Sequence, residues 1–282
     1  LYELVQNADD SSYQKPTKDG ILPYLRFEVT PDALIVETNE DGFQRANIDA
    51  ICATGKSSKK ASGNHDHIGE KGFGFKSVFS VADEVQVQSG LWSFRFSHCR
   101  GEDGLGMVTP LDMPPATLPR GVTTRITMQY SDEAQREYLK LVEAIHELPD
   151  TIIIFLHRLR AIHIDIIGAD GQREKRTLNK SYDAEPLRCT VKISQELSNT
   201  ITTEECTYLM YRRTKSGMPH HALRKDRSEA RIELAFPVDP ITQLPKLSTL
   251  GQHVFAYLPL QRLPQLQVST RSTILTSTDL EP

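Results

Sequence analysis

No stretch of the 282-residue chain approaches the ~20 consecutive apolar residues that a membrane-spanning helix needs. A basic-then-apolar leader pattern is also missing at the start. Cysteine is scarce, and Cys52, Cys99, Cys189 and Cys206 lie far apart with no C-x-x-C pair among them. Reduced thiols in an intracellular protein, cytoplasmic or nuclear, are therefore expected. Neither sign of charge dominates: 33 Lys and Arg stand against 37 Asp and Glu, a formal net charge of −4. That balance argues against general nucleic-acid binding, and the expected partners include neither membrane nor nucleic acid. With 38% hydrophobic and 25% charged residues, the chain suits a globular protein long enough for two domains.

The chain opens in mid-pattern. Leu1, Leu4, Val5 and Ala8 recur at helical spacing with no cap before them, so the sequence is expected to be a piece of a longer protein. Ser11 to Gly20 reads as a polar loop. Tyr24–Thr30 and Ala33–Thr38 then read as strands joined by a tight turn at Pro31-Asp32. Ile48, Ile51 and Cys52 suggest a short helix. Residues 54–67 form a polar connection of a length common in lids and binding loops. Strands are expected near Glu84–Ser89, Trp92–Ser97 and Thr123–Tyr130, with a Pro-rich loop between Pro110 and Pro119. A helix follows from Ser131-Asp132-Glu133 to about Leu148, stopped by Pro149. Thr151–Leu156 is a solid apolar run and Ala161–Ile167 a second one, strand-like; beyond them the chain is strand and turn.

Two stretches carry chemistry. Glu3 and Asn7 are four apart on the opening helix and so project from adjacent turns of one face. A carboxylate there can take a proton from water, and an amide oxygen is a hard ligand suited to Mg²⁺. The second stretch is Ile-Gly-Glu-Lys-Gly-Phe-Gly-Phe-Lys-Ser-Val-Phe (68–79), which puts Gly69, Gly72 and Gly74 within six residues before an apolar, helical pattern. Such glycines let backbone approach a ligand closely, and a helix start behind them suits phosphate. The bland alternatives are a solvated helix face and a plain loop.

With Thr-Asn-Glu-Asp-Gly-Phe (38–43) between them, the stretches stand in an order that resembles the GHKL ATPase superfamily of DNA gyrase, the ninety-kilodalton heat-shock chaperones, MutL and sensor histidine kinases. Within it the chain looks most like the sacsin and No Vein group, through Ala-Thr-Gly-Lys-Ser-Ser-Lys-Lys (53–60), the glycine stretch, Asp-Thr-Ile-Ile-Ile-Phe-Leu-His-Arg-Leu-Arg (150–160) and His253 to Leu260. The resemblance implies an α+β fold, a Bergerat-type two-layer sandwich with helices on one face of a mixed sheet, over residues 1–130. A helical connection and a second, smaller α/β module would fill 131–282. It implies ATP and Mg²⁺, with Glu3 as general base, Asn7 as magnesium ligand and Asp10 near the nucleotide. Gly69, Lys71, Gly72, Phe73, Gly74, Phe75 and Lys76 would close on the phosphates, and Thr124 would lie near the adenine. Slow Mg-dependent hydrolysis coupled to lid closure, in a large chaperone-like or scaffold protein with protein clients, is the function implied. A nucleotide-sensing or structural module without hydrolysis is the alternative.

Two departures from the family pattern stand out. The family's Asp-x-Gly-x-Gly acid, counted back from Gly42, falls on Thr38, with Asn39 and Asp41 as the nearest compensating groups. The final stretch offers only Arg271, out of step, for the arginine that the chaperones bring to the γ-phosphate. Thr54-Gly55-Lys56-Ser57 fails as a Walker loop because position 50 is Ala where that loop needs Gly. His65 and His67 match no zinc spacing.

Overall fold

A computed structural model describes residues 1–52, 75–98, 105–130, 134–183, 187–198, 200–217, 229–239, 241–244, 246, 252–256, 258–263 and 269–272. They fall into two compact units. The first takes Leu1–Leu148, His157–Thr177 and Ser194–Thr202; the second takes Pro149–Leu156, Leu178–Ile193 and Thr203–Pro282.

The first unit is organised on strands β1 (Tyr24–Val29), β2 (Ala33–Thr38), β3 (Ala82–Ser89), β4 (Trp92–Ser97), β5 (Leu111–Asp112), β6 (Thr124–Tyr130) and β7 (Ala161–Ile167). Their order is β7-β1-β2-β6-β3-β4-β5. β7 and β1 run parallel, and every other neighbour is antiparallel. Alternation builds one apolar face. Leu25, Phe27 and Val29 sit across from Thr38, Val36 and Leu34, which sit across from Thr124, Ile126 and Met128. Val87 and Val85 carry the row onward to Phe94 and Phe96. Among these, Leu25, Phe27, Val29, Val85, Val87 and Phe96 are fully buried. The opposite face is polar, with Arg26 bonded to Asp165, Glu37 and Glu28.

Four α-helices are described: α1 (Tyr2–Asp10), α2 (Gln14–Lys18), α3 (Arg45–Cys52) and α4 (Ala134–His146). α1 buries Leu4, Val5 and Ala8 of the expected stripe, and Asp9 as well. α2 lies where the sequence reads as loop. Its first N–H groups, on Gln14 and Lys15, are taken by the Asp41 carboxylate, a partner 26 and 27 positions away that local pattern does not reveal. α4 ends under Arg176, whose Nη2 donates to the Leu148 carbonyl at 2.8 Å.

The second unit is built from most of β8 (Arg173–Asp183), β9 (Arg188–Leu197) and β10 (Thr200–Lys215), with β11 (Ala230–Pro237), β12 (Gln252–Ala256), β13 (Leu258–Leu263) and β14 (Ser269–Ser272). The order is β8-β9-β10-β11-β14-β12-β13. The apolar run Thr151–Leu156, strand-like by composition, instead makes a 3-10 turn over Asp150–Ile153, with Ile152 to Leu156 buried. β-branched residues fit either geometry when fully buried, and here packing decides. Arg271, on β14, stands in register with Glu233 of β11.

The fold-class expectation is corrected by this balance of elements. Among the described residues fourteen strands stand against four α-helices of at most 13 residues, so strand dominates and this is not a helix-packed two-layer sandwich. The described residues of the second unit form strands and a 3-10 turn. Helix propensity in single segments was legible; whether enough helix existed to cover a sheet was not. No described helix is long and apolar enough to cross a membrane.

Candidate functional site

The apolar face of the first unit ends in a polar row. Register places Thr38 of β2 opposite Thr124 of β6, and Thr124 opposite Ser89 of β3. All three side chains are buried. Just past β2 the chain turns through Asn39-Glu40-Asp41-Gly42, and Glu40, 6% exposed, joins the row. Thr124 Oγ1 lies 2.6 Å from Glu40 Oε1 and 2.6 Å from Ser89 Oγ. Ser89 Oγ also accepts the Phe43 N–H at 2.8 Å.

An ionised carboxylate only accepts, so Thr124 donates to Glu40 and Ser89 donates to Thr124. Three donors thus point in sequence toward Glu40, each polarising the next. The Ser11 hydroxyl, at the end of α1, lies beside Glu40 as well. Burial nevertheless dominates and raises the Glu40 carboxyl above its ordinary value, with the Thr124 and Ser11 hydroxyls pulling the other way. Thr38 Oγ1, at the other end of the row, is buried with no hydrogen-bond partner among the described residues. Buried hydroxyls are nearly always bonded, so this one is an exception to the rule.

The turn that carries Glu40 is tied on both sides. The Asp41 N–H donates to the Ser12 carbonyl at 2.8 Å, and the Asp41 carboxylate holds the start of α2 and the Ser12 hydroxyl. The Asp41 carboxyl is held below its usual value: those hydrogen bonds and Lys15 outweigh desolvation, the largest single contribution. Asn39 accepts the Tyr24 N–H and donates to the Leu22 carbonyl, both at 2.9 Å. Trp92 Nε1 donates to the Phe43 carbonyl at 3.1 Å. Gly42 sits at φ +92°, and a Cβ there would lie 3.4 Å from Thr123 Cγ2. Gly42→Ala is therefore expected to cost about 1–2 kcal/mol, read as a lowered denaturation midpoint with an unchanged slope.

The sequence-predicted residues divide accordingly. Thr38 and Thr124 are in the row. Asn39, Asp41 and Gly42 hold the turn that presents Glu40, and the Asn39 and Asp41 side chains bond protein partners. Glu3 is exposed and Asn7 and Asp10 are half-buried on α1. Ser11, directly after this helix, donates to the Asn7 carbonyl at 2.9 Å and lies beside Glu40. Phe75 and Lys76 open a 3-10 helix, Phe75–Ser80, in place of the expected α-helix start. The Phe75 ring packs 6.2 Å from Phe96 in the core, and burial lowers the Lys76 ammonium, opposed by the Cys52 thiol nearby. Gly69, Lys71, Gly72, Phe73 and Gly74 lie outside the described residues, as do residues 54–67.

Glu40, Ser89, Ser11 and Asp9 are not read from the sequence. One signal could have found Glu40: taking Gly42 as the first glycine of Asp-x-Gly-x-Gly puts Glu40 at the acidic position, with Gln44 where the second glycine would be. Asp9 is fully buried on α1. Its carboxylate accepts three backbone N–H groups, from His157 at 2.7 Å, Arg158 at 2.8 Å and Leu159 at 2.9 Å.

No family model matches the chain. It is 29% identical, over 297 residues, to Protein NO VEIN of Arabidopsis thaliana, an alignment that covers 98% of this chain and 10% of that protein. The chain is similar to No Vein. It spans about a tenth of the length of that relative, so the match carries no statement about what the whole of either protein does. A solved structure, the crystal structure of the N terminal domain of a DNA repair protein, covers 96% of this chain and 81% of that one at 11% identity with a TM-score of 0.43.

Proposed function

We propose that the first unit is an ATP-binding module of the GHKL kind, in an intracellular protein of the No Vein type. The observation that carries the reading is the buried Glu40 carboxyl at the end of an apolar sheet face, flanked by Thr124, Ser89 and the unpartnered hydroxyl of Thr38. A flat heteroaromatic ring is mostly apolar with a few edge donors and acceptors. The apolar face suits its body, and Glu40 suits an exocyclic amino group, which donates. In the same pose a guanine or hypoxanthine ring would put its 6-carbonyl where adenine has the amino group and would meet Glu40 acceptor to acceptor. The ordered motifs of the three sequence stretches and the likeness to No Vein support the same reading.

Hydrolysis is assigned to α1. Glu3 would draw the proton from an attacking water, and Asn7, a hard oxygen donor four residues on, would hold Mg²⁺. The metal, when bound, would neutralise charge on the phosphates. Phosphoryl transfer asks chiefly for position and charge balance, so a helix carrying both groups suffices in outline. Turnover coupled to lid closure and to protein clients is part of the proposal.

Single-turnover hydrolysis is the test. Glu3→Ala should abolish phosphate release, by about 100-fold or more, while ATP binding is retained. Asn7→Ala should remove the magnesium dependence of binding, read by calorimetric titration with and without Mg²⁺. Release of phosphate at wild-type rate by Glu3→Ala would remove the catalytic assignment. Magnesium-dependent binding by Asn7→Ala would remove the metal assignment.

A further inference from the structure

The polar back of the first unit's sheet carries a concavity of about 330 Å³, on the side away from the Glu40 row. Arg26, Glu37 and Asp165 form its floor, His163 and Lys175 one wall, and Arg120 of the Pro-rich loop its rim. That loop is laid across the back face by Tyr24 Oη donating to the Gly121 carbonyl at 3.3 Å and by Gln88 pairing with the Ala116 backbone.

The charges of the floor are paired among themselves, two guanidiniums against three carboxylates. Arg26 binds Asp165 Oδ2 at 2.9 and 2.7 Å, Glu28 at 2.9 Å and Glu37 at 3.3 Å, and Arg125 also binds Glu37. At the wall and rim the polar capacity that remains open is of the donating kind. Arg120 is exposed and has no partner among the described residues. Lys175 spends one proton on Glu196 at 2.8 Å and keeps two. His163 meets Thr177 with Nδ1 at 3.4 Å, which leaves Nε2 facing away from that contact. Burial, reinforced by Arg26, lowers the His163 imidazolium, so the ring is neutral at neutral pH and has one N–H. The acceptor available deeper in is Asp165 Oδ1, since the Arg26 bonds fall on Oδ2.

We infer that this concavity binds a small phosphate monoester, its head between Arg120 and Lys175 and a hydroxyl of its body on Asp165. A polyphosphate does not suit it, because further negative charge would be driven onto Glu37 and Asp165. The site is separate from the proposed nucleotide site and does not depend on it.

The experiment is a titration of ring-labelled protein with glycerol phosphate at constant ionic strength, following the His163 Cε1–H resonance, with saturating MgATP present and absent. A saturable shift with a dissociation constant on the order of 1 mM is expected in both conditions, weakened about tenfold or more in Arg120→Glu, whose exposed position leaves folding intact. Inorganic phosphate should bind several-fold more weakly than glycerol phosphate. A shift that does not saturate, or one that is the same in Arg120→Glu, overturns the site. Equal binding of the two probes overturns the role given to Asp165.

Discussion

Asp9→Ala is expected to lower the melting temperature by roughly 10 °C, the largest stability effect of any single replacement in the first unit. The carboxylate is fully buried and accepts three backbone N–H groups from the loop His157–Leu159, and Arg158 Nη1 also reaches the Asp9 carbonyl at 3.1 Å. Truncation leaves three donors in the interior without acceptors. At ~1–3 kcal/mol for each unsatisfied buried group, with some relief from water entering the space, a loss of about 4 kcal/mol follows. Asp9→Asn keeps one acceptor oxygen but turns an N–H₂ toward at least one donor, so it should fall between wild type and alanine. Differential scanning calorimetry separates the three. An Asp9→Ala protein that melts within about 2 °C of wild type would show that the loop does not depend on the carboxylate.

Glu40→Ala should weaken ATP binding by about 10- to 100-fold, the ~1.5–3 kcal/mol of a hydrogen bond to a charged group. The same carboxylate carries a stability cost that makes its role separable. Burial raises its folded-state value above the ordinary 4.5, so the folded protein holds this proton more tightly than the unfolded chain. The stability contributed by that preference is complete below 4.5 and is lost as pH rises through the folded-state value. At neutral pH the buried charge is a liability that a purely structural residue would have no reason to keep. Glu40→Gln removes the titration while leaving an oxygen for Thr124. It should therefore be as stable as wild type or more so at pH 7, by about 1 kcal/mol, and bind ATP about tenfold more weakly. Melting temperatures taken across pH 4 to 8 should fall with rising pH in wild type over a window that is flat in Glu40→Gln. Identical profiles would mean that Glu40 does not titrate as its burial requires.

Much of the first unit was legible because its strands alternate cleanly. β2, β4 and β7 fall where the pattern of Ala33–Thr38, Trp92–Ser97 and Ala161–Ile167 puts them, and Ile48 buries α3 as its spacing implies. What was not legible depends on partners distant in sequence. α2 exists because Asp41 caps it, and Asp9 matters because a loop some 150 positions later brings it three N–H groups. Glu40 was hidden by a counting choice between two glycine registers, one of which points to Thr38. Both residues turn out to share the row, since the strand ends at one and the turn presents the other. The sandwich was expected from resemblance alone, and periodicity within single segments could not correct it.

Methyl resonances of Thr38 and Thr124 during a titration with MgATP test the central claim most directly. If the nucleotide's ring occupies the end of the apolar face, both should move saturably with a common dissociation constant, and the same titration with GTP should leave them nearly still. Saturable ATP binding that leaves Thr38 and Thr124 unmoved, or an absence of ATP binding at millimolar concentration, would contradict it.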